Sequence, residues 1–125
     1  MLRFTRPLRQ ALKTTTGIHG IPVHPDPLPA LRKTYESTLS ILNQMPPSAV
    51  YRQGTEAVIR HRLDLIERSK GNPAEVERTL GEGQIEEVLM SASDELTLAG
   101  KMLEWKAWEP LEVKPAPGQW DYVRD

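Results

Sequence analysis

The sequence contains no cysteine, and this absence excludes several kinds of chemistry at once. Disulfides, thiolate metal ligands and cysteine nucleophiles all need the missing side chain, so none of them operates in this chain of 125 residues. The sequence also lacks any run of about 18 apolar residues, the length that crosses a bilayer as a helix. Neither absence identifies a cellular compartment.

The sequence also lacks an excess of charge of one sign. Its net charge of −1 gives no global attraction towards nucleic acid or membrane. Residues 1–25, however, contain basic side chains and no acidic one. An acid-free, amphipathic segment with arginines and hydroxyl groups is typical of mitochondrial targeting, although Pro7 opposes a continuous helix. A plain basic N-terminus is the alternative. The basic residues are Arg3, Arg6, Arg9 and Lys13.

Residues with catalytic or metal-binding chemistry are few and scattered. The three histidines are His19, His24 and His61, and none has the helical spacing of a metal-binding pair. Two carboxylate pairs, Glu86-Glu87 and Asp94-Glu95, are predicted to lie on solvated helix surface. We therefore expect no catalytic residue, no metal site and no cofactor.

Helical periodicity indicates three long amphipathic helices and one short helix, and no segment alternates with a period of two. The first helix is predicted from Pro29 to about Met45, the second from a cap at Ser48 to Lys70, the short third from Pro73 to Leu80, and the fourth from Gln84 to Ala107.

These elements predict an all-α fold, an antiparallel three-helix bundle with a short extra helix and extended N- and C-terminal segments. Residues 1–29 form the basic segment and a Gly/Pro-rich loop, residues 30–107 the bundle, and residues 108–125 an aromatic, proline-rich tail.

A predicted apolar stripe defines the side of each long helix that faces the core, and the stripe of the first helix is Leu31, Tyr35, Thr38, Leu39 and Leu42. In the second helix Arg62 lies inside the stripe, and its alkyl stem is expected to pack while the guanidinium reaches the edge. That stripe is Tyr51, Thr55, Val58, Ile59, Arg62, Leu65 and Ile66. The stripe of the last helix is Ile85, Val88, Leu89, Ala92, Leu96, Ala99 and Leu103.

A second apolar patch lies off the core stripe of the last helix. It consists of Leu98, Met102 and Trp105, and exposed aromatic material of this kind is typical of a surface that a partner covers. The tail adds further anchors to the predicted partner-binding set: Trp108, Trp120 and Tyr122. Two alternatives remain open, because another part of the same chain could cover the patch and the tail could wrap its own bundle.

The same region carries a family resemblance. The segments Gln84–Val88 and Glu104–Leu111, with the pattern EWKxWEPL, resemble an accessory alpha-subcomplex subunit of mitochondrial NADH:ubiquinone oxidoreductase, respiratory complex I. Upstream segments match the same family in the same order, at Thr15-Thr16-Gly17, Met45-Pro46, Tyr51-Arg52 and Thr55-Glu56.

The resemblance implies a non-catalytic helical subunit of the peripheral arm, on the matrix side of the inner membrane. It implies packing against hydrophilic core subunits of the quinone-reducing module and no binding of NADH, flavin, iron–sulfur cluster or quinone. Two other hypotheses for the function remain. One is an independent adaptor that binds a membrane surface or a partner helix through the basic N-terminus, and the other is a small enzyme that uses dispersed carboxylates and His61.

Overall fold

The computed structural model describes residues 13–123, and over that range the chain is all-helical with no strand. The all-α prediction is therefore confirmed. The targeting prediction rests mainly on Arg3, Arg6 and Arg9, which lie outside the described residues. The four helices are α1 (Pro27–Leu42), α2 (Val50–Arg68), α3 (Pro73–Leu80) and α4 (Ile85–Trp105).

The starts of the first two helices differ from those predicted. Helix α1 begins at Pro27, two residues before the expected Pro29, and a proline in the first turn costs no backbone hydrogen bond. Helix α2 has Ala49 as its N-cap, with no side-chain cap, so the predicted cap at Ser48 is wrong. A tight turn sets this start instead, because the Ala49 amide donates to the Pro46 carbonyl at 3.0 Å.

The starts of the other two helices follow their sequence signals. The Asn72 side chain accepts a hydrogen bond from the Ala74 amide at 3.1 Å, as an N-cap does. At α4 the Gln84 amide donates to the Glu87 carboxylate at 2.8 Å. This contact depends on Gly83, whose φ is +90° and where a Cβ would lie 2.3 Å from a Glu87 oxygen.

Helix α1 lies at the centre of the packing. It packs most extensively against α4 and also against α2, whereas α3 contacts α4 and α2. Arg32 near the start of α1 lies 3.5 Å from Glu67 near the end of α2. The buried core comprises Leu28, Leu31, Tyr35, Leu42, Met45, Ala49, Ile59, Ile66, Val76, Ile85, Val88 and Ala92.

Helices α2 and α4 are hardly packed against each other in the part of the chain that the structure describes. Consequently only Ile59 and Ile66 of the stripe predicted for α2 are buried, and Val58 is 50% exposed. The prediction that Val58 belongs to the core is wrong, because within residues 13–123 no helix covers this side of α2. In α4 the predicted stripe is buried at Ile85, Val88, Ala92 and Ala99.

Candidate functional site

The three residues predicted as a surface patch on α4 have different environments. Trp105 is 63% exposed and Leu98 is 41% exposed, so both present apolar area to solvent. Met102 is half-buried and packs against the core. The patch therefore consists of two exposed side chains beside one that also belongs to the bundle.

The aromatic residues of the tail divide in a similar way. Trp108 packs against the core just after α4, where Lys106 ends the helix in a left-handed conformation. Trp120 and Tyr122 are 76% and 94% exposed. Most of the surface of both rings is therefore in contact with solvent. Three aliphatic tail residues are similarly exposed, Leu111, Val113 and Val123.

A groove of about 530 Å³ lies between α2 and α4. Its floor includes Tyr35 of α1, and Gly54 and Val58 of α2 and Ser91 of α4 form part of its walls. A smaller hollow of about 220 Å³ adjoins it, shares Val50 and Tyr51 with it, and is lined also by Met102 and Trp108. Sequence periodicity did not indicate this groove, because it follows from how far apart α2 and α4 stand.

Polar side chains in the lining of the groove are hydrogen-bonded to one another. The Tyr51 hydroxyl donates a hydrogen bond to the Glu95 carboxylate. Burial and this hydrogen bond raise the pKa of Tyr51 well above its ordinary value, so the hydroxyl remains a donor at neutral pH. At one end Arg62 donates to the Tyr35 hydroxyl at 3.3 Å and to Glu82 at 2.8 Å. Arg62 therefore combines a packed stem with a guanidinium at the groove's edge, as predicted.

Glu86 differs from its prediction, because it is buried and not part of a solvated surface. Only 5% of the residue is exposed, and its carboxylate lies 2.5 Å from Lys13 Nζ. The same carboxylate accepts a hydrogen bond from the His24 amide at 3.4 Å. Gln84 extends the contact, since it accepts from Lys13 at 2.8 Å and donates to the Thr16 carbonyl at 2.6 Å. We call these contacts the N-terminal clasp.

The clasp attaches residues 13–24 to the start of α4. Sequence reasoning missed it because its polar partners are more than 60 residues apart along the chain. Burial by itself raises the pKa of Glu86, but the hydrogen bonds from Lys13, the Glu86 backbone and the His24 backbone outweigh it and hold the pKa below the ordinary 4.5. Glu86 is therefore ionised in the folded chain at neutral pH.

The described residues offer no assembled chemistry elsewhere. Among residues 13–123 no three histidine or carboxylate side chains are grouped closely enough to hold a metal ion. In the same range no helix has the length and apolarity needed to cross a membrane. The notable features are thus exposed apolar side chains, a groove and a clasp.

Comparison with known proteins identifies the family. Residues 20–87 match the family described as "ETC complex I subunit conserved region". The chain belongs to this family of complex I subunits. The chain is 41% identical over 135 residues to NADH dehydrogenase (ubiquinone) 1 alpha subcomplex subunit MCI4 of Candida albicans, covering 97% of this chain and 96% of that protein. It is 40% identical over 111 residues to alpha subcomplex subunit 5 of Mus musculus, covering 89% and 95%.

A plant relative is similar over a shorter share of its own length. The chain is 40% identical over 103 residues to a probable mitochondrial alpha subcomplex subunit 5 of Arabidopsis thaliana, covering 82% of this chain and 60% of that protein. The resemblance found in the sequence is thereby confirmed. The complex I family is one of accessory subunits of the mitochondrial respiratory chain that are not themselves catalytic, which confirms the interpretation of the chain as non-catalytic.

Removing the cation of the clasp should destabilise the isolated chain. Lys13→Ala leaves the buried Glu86 carboxylate without an ion-pair partner, and we expect a loss of about 2 kcal/mol in the free energy of unfolding in urea. The matched control is Lys101→Ala, which removes an exposed pair with Glu104 and should cost about 0.5 kcal/mol or less. Equal losses in the two variants would show that the clasp contributes no more than a surface pair.

The clasp also gives stability a pH dependence of known sign. Because the pKa of Glu86 is lower in the folded chain than its ordinary 4.5, its contribution is complete above pH 4.5 and decreases as the pH falls through the folded value. Glu86→Gln should therefore lose less unfolding free energy than the wild type between pH 6 and about pH 3. Parallel curves for the two proteins over that range would contradict the assignment.

Proposed function

We propose that the chain is a structural subunit of the peripheral matrix arm of mitochondrial complex I. In this proposal it lies on the matrix side of the inner membrane and packs against hydrophilic core subunits of the quinone-reducing module. It supports electron transport from NADH to ubiquinone by assembling and stabilising that arm. Family membership supports the assignment of the chain to complex I. The resemblance of the sequence supports its placement in the peripheral arm and next to the quinone-reducing module.

The observation that carries the proposal is the amount of large apolar surface left exposed by a small helical chain. Trp105, Trp120 and Tyr122 are each more than 60% exposed. Buried aromatic anchors dominate the energy of protein interfaces, and exposed aromatic area of this size is costly in a free subunit. We propose that partner subunits cover these side chains together with Leu98, Met102 and Trp108.

The three long helices and the tail have different roles in this proposal. We propose that residues 30–107 act as an antiparallel bundle that presents one side of α4, and that residues 108–125 reach across a neighbouring subunit. Pro110, Pro115 and Pro117 restrict the tail before it binds, which lowers the entropy that docking costs.

The test compares incorporation with stability for two tryptophans. Trp105→Ala and Trp120→Ala should each lower incorporation into complex I on native gels, where co-migration with NADH dehydrogenase activity is measured. Both should change the unfolding free energy of the isolated chain by about 0.5 kcal/mol or less, because the rings are mostly exposed.

Trp108→Ala provides the contrast in the stability of the isolated chain. Because its ring packs against the core, this variant should lower the stability of the isolated chain by about 2 kcal/mol. The proposal fails if the wild-type chain migrates apart from the complex. The assignment of Trp105 and Trp120 fails if both variants incorporate like the wild type.

A further inference from the structure

Gly54 is a helical glycine that the described chain does not explain. It lies within α2, where glycine weakens a helix relative to alanine. A Cβ at this position would meet no atom within 4 Å, so no neighbour requires the side chain to be absent. Gly54 lines the groove between α2 and α4. A missing side chain at such a place allows another backbone to approach closely.

The groove is long enough for about three turns of a helix. Val50, Gly54 and Val58 follow at intervals of four along α2 and so lie on one side of it. Val50 and Val58 are 82% and 50% exposed. The lining extends along α2 from Val50 to Arg62, which corresponds to about 18 Å of helix, or roughly three turns.

The charge of the groove indicates the chemistry of its occupant. Arg62 is paired with Glu82, whereas Glu95 accepts the Tyr51 hydroxyl and has no ion-pair partner among residues 13–123. The lining thus has one uncompensated negative charge. A lysine or arginine on the occupant would complement it.

The same charge disfavours a second copy of this chain as the occupant. A symmetric contact through the groove would bury the Glu95 carboxylates of both copies in one interface, and the described lining supplies no unpaired cation for either of them. Like charges in that position oppose association.

We propose that the groove between α2 and α4 seats one amphipathic helix of a neighbouring complex I subunit. That helix places small residues against Gly54 and a basic residue against Glu95. It completes a four-helix packing in which α1 lies opposite the partner helix. This inference rests on the proposed function and names a second contact, separate from the exposed tryptophans.

The first experiment fills the groove without disturbing the core. Gly54→Leu adds a side chain where the isolated chain has open space, so its melting temperature should stay the same or rise. Incorporation into complex I should nevertheless fall about tenfold on native gels, because overpacking a helix contact weakens it. The matched control is Ala57→Leu, an exposed position of α2 outside the groove, which should incorporate like the wild type.

The proposal is overturned if Gly54→Leu incorporates normally, or if both leucine variants lose incorporation equally. The failure of the proposed function looks different, because the unaltered chain would then not co-migrate with the complex at all. Normal incorporation of Gly54→Leu with loss for Trp105→Ala would reject the groove and retain the subunit assignment.

A second experiment identifies the occupant even if Gly54→Leu folds poorly. A photoreactive side chain at Val58, in the chain assembled into complex I, should cross-link to a helical segment of another subunit, which peptide mass spectrometry can locate. Cross-links to a second copy, to residues 1–12 or to residues 109–123 of the same chain would overturn the proposal, and so would the absence of any cross-link.

Discussion

The position of α1 between α2 and α4 is the constraint on which the rest of the structure depends. Because α1 packs against both long helices, the core forms along its two sides, with Leu31, Tyr35 and Leu42 almost fully buried. On the side away from α1, no other helix of the described chain fills the space between α2 and α4. The groove and the exposed valines of α2 follow from this arrangement.

The chain segments next to the start and the end of α4 differ in how they contact the helices. At the start of α4 the N-terminal clasp holds residues 13–24 in place through a buried carboxylate and its lysine. A buried charge of this kind is costly unless it is paired and hydrogen-bonded, which ties the position of this segment to Lys13 and His24. At the end of α4 Trp108 packs against the core, but further along the tail Trp120 and Tyr122 extend into solvent. Within residues 13–123 the segment before α1 is thus held on the start of α4, and the last part of the tail is exposed.

Local signals in the sequence predicted the starts of α3 and α4, and long-range packing determined other features that the sequence did not predict. The starts of α3 and α4 are shaped by Asn72 and Gly83 through atoms only a few residues away, and both lie within one residue of the predicted Pro73 and Gln84. The periodicity of α2 placed Val58 in the core, although it is half exposed, because periodicity gives the apolar side of a helix but not whether a neighbour covers it. The burial of Glu86 depends on Lys13, 73 residues earlier, which no local pattern contains. Among the proposed partner-binding residues, the sequence identified tryptophans off the core stripe but could not separate half-buried Trp108 from exposed Trp105.

The central claim is that partner subunits cover the apolar surface that this chain leaves exposed. Oxidative footprinting of the three tryptophans, read by mass spectrometry in the isolated chain and in intact complex I, tests it most directly. In the isolated chain Trp105 and Trp120 should be oxidised faster than Trp108, which packs against the core. In the complex the oxidation rates of Trp105 and Trp120 should fall to the rate of Trp108 in the isolated chain, or below it. Rates for Trp105 and Trp120 that are the same in the complex as in the isolated chain would contradict the account.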